Sequence, residues 1–135
     1  MIENFEKLNF NQKVDVLVEM HVMGWKDIVI EQVAWARSNE MWAGIGVSGL
    51  YVPLYSTLLT SAWGIVNKFD YMHLFRSKDF KKGQWECKLV EDPYCYAYAW
   101  AETVQLAICY AGLKTVGFDV KAFLQEEEKN KENNK

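Results

Sequence analysis

Two prolines, two arginines and two histidines are all that this chain of 135 residues carries of those types, and each scarcity excludes something. Arg37 and Arg76 are its only forked donors. With fifteen basic against eighteen acidic residues and a net charge of −3, the chain lacks the positive field that a duplex polyanion requires. His21 and His73 stand far apart and fall in no H-E-x-x-H or His/Cys spacing, so no zinc site is legible and a structural histidine is the expectation for each. Cys87, Cys95 and Cys109 are odd in number and form no C-x-x-C, which points to reduced, mostly buried thiols. No run reaches eighteen apolar residues, and Met1–Asn9 has no basic region ahead of an apolar stretch. The expectation is a cytoplasmic protein without a membrane span, a metal or a cofactor.

What is abundant is apolar and aromatic surface. Half of the residues are apolar or aromatic, with six tryptophans and seven tyrosines. Such side chains dominate cores and interfaces, so a homo-oligomer is expected. The length suits one domain that buries about two thirds of its unfolded surface. We assign that domain to residues 1–124 and read the charged segment 125–135 as a disordered tail.

Phe10, Val14, Leu17, Val18 and Val22 recur at helical spacing behind Asn9 or Asn11, and Gly24 closes them. From Trp25 the period changes to that of a strand covered on both faces, with Ser38-Asn39 as a turn and Met41–Val47 as the returning partner. Ser56 is placed as the N-cap of a second helix carrying Leu59, Ala62, Trp63, Val66 and Phe69. Tyr71–Arg76 and Trp85–Val90 read as an antiparallel pair, because Trp85, Cys87 and Leu89 alternate with Glu86, Lys88 and Val90. Asp92-Pro93 ends that pair, and Tyr94–Trp100 reads as an aromatic connection. Thr103 caps a third helix that Gly117 stops, and Phe118–Leu124 adds a short last one. This order predicts an α+β fold, with an antiparallel or mixed sheet packed between amphipathic helices or covered by them on one face.

Gly44, Gly46 and Gly49 spell G-x-G-x-x-G, but Leu50-Tyr-Val-Pro53 follows, where a dinucleotide site needs a helix to open. The run reads as a flexible connection instead.

Three stretches together resemble the phage ABA-sandwich domain family of small bacteriophage and prophage proteins. They are Met23-Gly24-Trp25; Pro53-Leu-Tyr55-Ser56-Thr57 leading into Ala62-Trp63; and Leu106-Ala-Ile-Cys109 with Ala111, Leu113-Lys114 and Val116-Gly117. The resemblance spans about residues 10 to 117. It implies an α/β/α sandwich of phage origin in a bacterial host and implies little about activity. Members often carry an acidic residue after the Ser-Thr pair; this chain has Leu58.

No activated nucleophile is visible, so no enzyme is expected. Binding has better material. A helix start at Tyr55-Ser56-Thr57 would offer free N–H groups to an anion, Arg37 and Arg76 could grip phosphate, and Trp42, Tyr94, Tyr96 and Tyr98 could stack on a base. The first functional expectation is therefore a sponge that sequesters a nucleotide-derived immune signal, of cyclic dinucleotide or ADP-ribose type, without altering it. The alternative is a protein-interaction module that blocks a host defence enzyme or serves a phage accessory or structural role.

Overall fold

Asn9 settles where the first helix begins. Its side chain accepts from the Gln12 N–H at 2.8 Å, and the Gln12 side chain accepts from the Asn9 N–H at 3.0 Å, a reciprocal capping box. The computed structural model describes residues 5–25, 28–32, 41–45, 50–76, 84–91 and 95–133. Helix α1 (Phe10–Leu17) runs on into a π turn (Val18–Val22), in which the Met23 N–H reaches back five residues to the Val18 carbonyl. Gly24 then leaves the helix at φ +85, a conformation that favours a residue without Cβ.

Strands β1 (Ile28–Gln32), β2 (Met41–Ile45) and β3 (Leu50–Tyr51) form one antiparallel sheet in that order, with Ile28 opposite Ile45 and Gly44 opposite Tyr51. Because Leu50–Tyr51 is a strand, no helix opens after Gly49 and the dinucleotide geometry is absent there. The expected Ser38-Asn39 turn lies outside the described residues.

Ser56 is not a helix cap. Residues 54–57 close a turn of their own, with the Thr57 and Leu58 N–H groups both donating to the Leu54 carbonyl. Helix α2 (Leu59–Val66) starts only after Leu58, whose extended backbone marks the boundary and whose side chain caps nothing. The Ser56 hydroxyl is spent elsewhere, donating to the Asn11 carbonyl at 3.0 Å.

Strands β4 (Tyr71–Arg76), β5 (Trp85–Glu91) and β6 (Cys95–Ala101) make a second antiparallel sheet in chain order. The hairpin follows the expected bounds. The aromatic connection does not: Cys95–Ala101 pairs with β5 along its whole length, from Glu91 opposite Cys95 to Trp85 opposite Ala101. Its small residues Ala97, Ala99 and Ala101 alternate with large rings, and that period of two places it in a sheet.

Helix α3 (Val104–Thr115) lies across β5 and β6 and also contacts α2, α1 and the π turn. Thr103 caps it, accepting from the Leu106 N–H at 3.2 Å. Gly117, at φ +82, ends it with a pair of return bonds, Gly117 N–H to Lys114 O and Phe118 N–H to Leu113 O. Residues 107–113 of α3 are all buried, because the helix is covered by the sheet on one side and by helices on the other. The fold is thus α+β, an antiparallel sheet packed against helices.

The charged segment 125–135, expected to be disordered, is helical as far as Asn133 within α4 (Val120–Asn133). Asp119 caps it through the Ala122 N–H at 2.9 Å. The helix also has an anchor. Phe123 stacks on Phe10 at 5.9 Å, and Glu127 accepts from the Lys13 ammonium at 2.7 Å. Burial alone would lower the Lys13 pKa, but the hydrogen bond and charge of Glu127, with Glu6 behind it, carry it above the ordinary value.

Candidate binding surface

Alternation along three paired strands decides which side chains the second sheet shows to solvent. Cys87 and Leu89 point toward α3 with Ala99, Ala101, Met72 and Leu74, and they join the core. The opposite parity forms three cross-strand rows: Tyr71, Val90 and Tyr96; His73, Lys88 and Tyr98; Phe75, Glu86 and Trp100. This face is open. Tyr71, Phe75, Tyr96 and Tyr98 are 63, 54, 61 and 43% exposed. Neighbours brace one another: His73 stacks on Phe75 at 6.2 Å, Tyr98 meets Trp100 edge-on at 5.1 Å, and the Lys88 ammonium sits 5.1 Å from the Tyr96 ring centre. The outcome, among the described residues, is an aromatic surface with one cation and one carboxylate, Lys88 and Glu86, near its middle.

A second polar cluster is buried rather than open. Asp15 and Glu19, one helical turn apart, are 3 and 2% exposed. Asp15 accepts from the Ser56 backbone N–H at 2.7 Å, and Glu19 accepts from the Tyr55 hydroxyl at 3.1 Å, its other oxygen having no hydrogen-bond partner. Burial raises the Asp15 pKa to about 6, against the lowering effect of Ser56. It raises Glu19 as well, and it raises the Tyr55 hydroxyl, which also faces the Glu19 carboxylate. The cluster pins the 54–57 turn to α1. Cys109 and Cys87 are fully buried thiols, the latter pushed up to about 12 by burial. Among the described residues no group of three or more His, Cys, Asp or Glu could hold a metal ion, and no helix is long and apolar enough to cross a membrane.

Among the described residues, those singled out in the sequence do not converge. Tyr55 and Ser56 are buried against α1, and the N–H groups expected to be free there are bonded: Ser56 to Asp15, Tyr55 to the Pro53 carbonyl and Thr57 to the Leu54 carbonyl. The anion site expected at this turn is therefore absent. Thr57 is exposed, its carbonyl taking the Gln105 side chain at 3.2 Å. Arg76 ends β4 on the parity of Met72 and Leu74, while Tyr96 lies at the other end of the sheet on the open face. Trp42 pairs with Glu31 within the first sheet, and Arg37 and Tyr94 lie outside the described residues. A groove of ≈ 500 Å³ runs between α3, α4 and β6, past Trp100, Tyr110, Lys114 and Leu124, and none of the predicted ligand residues that are described lines it.

Among the described residues, Tyr96 and Tyr98 are the two predicted ones on the open face. Tyr71, His73, Phe75, Glu86 and Lys88 were not singled out as site residues. Their signal was present as Tyr71-x-His73-x-Phe75 and Tyr96-x-Tyr98-x-Trp100, rings at a spacing of two. The Asp15–Glu19 pair was missed because it falls beside the apolar stripe of the first helix.

Helices laid against an antiparallel sheet whose other face is open define a small α+β sandwich. The model of the Phage ABA sandwich domain matches residues 16–113, and the chain belongs to that family. A crystal structure of a phage protein from Bacillus cereus ATCC 14579 is similar in fold, with a TM-score of 0.56 and 21% identity over 78% of this chain and 91% of that one. No curated protein matches the chain.

Proposed function

We propose that this phage protein acts in the host cytoplasm as an interaction module, binding a protein partner through the open face of the β4–β5–β6 sheet. Its partner would be a host defence enzyme that it blocks, or a component that it serves in an accessory or structural role. The observation that carries the reading is the exposure of Tyr71, Phe75, Tyr96 and Tyr98 on one continuous face. Exposed apolar patches of this kind mark interaction sites, and tyrosine is enriched among the residues that dominate binding energy. An open sheet face also suits a macromolecule better than a small ligand, which needs walls around most of its surface. Binding of this sort requires no catalytic group, and none is assigned.

One feature supports a second reading, the sequestration of a nucleotide-derived immune signal. Lys88 beside the Tyr96 ring puts a cation and a stacking platform together, as a phosphate and a base would need. Two measurements separate the readings. After incubation with cyclic dinucleotides and ADP-ribose derivatives, heat release and chromatography are expected to recover nothing; intact recovery favours sequestration, and an altered product indicates an enzyme. Affinity purification from infected cells is expected to retain a stoichiometric protein partner with the wild type and to lose it with Tyr71→Ser/Tyr96→Ser/Tyr98→Ser. A partner held equally by both proteins overturns the assignment of the surface.

A further inference from the structure

From the arrangement of charge on the open face we infer that its occupant is a second copy of this chain, paired face to face about a two-fold axis. The inference rests on the reading of this face as a protein-binding surface and sets a second copy on it in the free protein, which a host partner must displace. Glu86 and Lys88 project from the same side of the central strand, one on each side of Cys87. Two sheets stacked about 10 Å apart can meet through a two-fold axis lying between them in either of two simple ways. An axis along the strands sets Glu86 over Glu86 and Lys88 over Lys88, which is repulsive. An axis across the strands at Cys87 sets Glu86 of each copy over Lys88 of the other, twice, as an isologous contact requires.

The same operation carries the flanking strands into register. It brings Phe75 over His73 of the second copy and Trp100 over Tyr98 of the second copy, because these residues lie at equal distances from the central row of Leu74, Cys87 and Ala99. Rings then meet rings on both sides of the charge pair. Of the four exposed rings, Phe75 and Tyr98 lie in the rows that overlap, while Tyr71 and Tyr96 lie in the row beyond Lys88, past the end of the matched rows. Charge selects the orientation, and ring contacts flank it on both sides.

Charge reversal in the full-length chain tests this. Sedimentation is run on the wild type, Glu86→Lys, Lys88→Glu, the double variant E86K/K88E, and an equimolar mixture of the two single variants, each checked for native circular dichroism. The wild type is expected to be a dimer. Each single reversal places like charges together twice and should weaken association on the order of a hundred-fold. The double variant should dimerise again, and the mixture should form a heterodimer, which no purely structural role of either residue would produce. A wild type that stays monomeric up to millimolar concentration overturns the self-pairing and leaves the interaction module intact. A dimer that none of the reversals affects overturns the use of this face. Weakening that neither the double variant nor mixing restores overturns the two-fold register. Loss of the host partner with the tyrosine variant, alongside a monomeric wild type, gives the face to a host protein instead.

Discussion

Asp15 holds its carboxylate 2.7 Å from the Ser56 N–H in a position that water scarcely reaches. Its pKa, raised from 3.8 to about 6 by burial, means that the folded chain binds the proton more tightly than the unfolded chain. The sign follows: the stability contributed by the protonated form is complete below pH 4 and is lost as pH rises through 6. A shift of that size corresponds to roughly 3 kcal/mol. Asp15→Asn keeps an acceptor oxygen for Ser56 and removes the titration. In urea unfolding the variant should match the wild type near pH 4 and exceed it by about 1–3 kcal/mol near neutrality; an advantage that does not change with pH refutes the account. The buried thiols give a second prediction at this scale. Cys87 and Cys109 are fully enclosed, and burial holds both far from their thiolate forms, so a thiol reagent should label neither in the native protein and both after unfolding.

Two glycines show how an element's local geometry sets the outcome of one substitution. A Cβ on Gly64 or on Gly117 would meet nothing within 4 Å. Gly64 sits inside α2 at an ordinary helical angle, so Gly64→Ala should stabilise by about 0.5–1 kcal/mol through helix propensity. Gly117 ends α3 at φ +82, so Gly117→Ala should destabilise by about 1 kcal/mol. Thermal unfolding of the two variants checks both signs. The elements legible in the sequence were those whose signal is local. The Asn9 cap, the Thr103 cap, the Gly24 and Gly117 stops and the Trp85–Val90 alternation all depend on residues within a few positions. What stayed hidden depends on distant partners. Ser56 has the chemistry of a cap, but Asp15, forty-one residues earlier, takes its N–H. The Tyr94–Trp100 stretch reads as a connection because it is rich in rings, and only pairing with β5 makes the alternating alanines an inner face. For the same reason only Tyr96 and Tyr98 of the open face are legible as candidates, and cross-strand register is what sets Tyr71, His73, Phe75, Glu86 and Lys88 beside them.

Across the whole molecule, α4 is tied back to the first helix by one charged contact and two rings. The Lys13 side chain is 5% exposed, its ammonium 2.7 Å from Glu127 and 3.4 Å from the exposed Glu6. Glu127→Gln would leave a buried cation with weaker compensation and should cost about 1–3 kcal/mol, while amide exchange in residues 125–133 speeds up. Exchange that stays unchanged there would place the anchor of α4 in Phe123 and Phe10 alone. The π turn at Val18–Val22 has a further consequence, for how relatives are compared. It holds one residue more than an α-helical turn of the same bonding would, and it delivers the chain to Gly24 with Val18 and Val22 both inside. A relative one residue shorter between these points can keep both ends fixed by reverting to four-residue bonding. A single-residue gap in an alignment here therefore marks a change of helix type, and insertions and deletions of one residue should collect at this turn while the helices on either side keep their length.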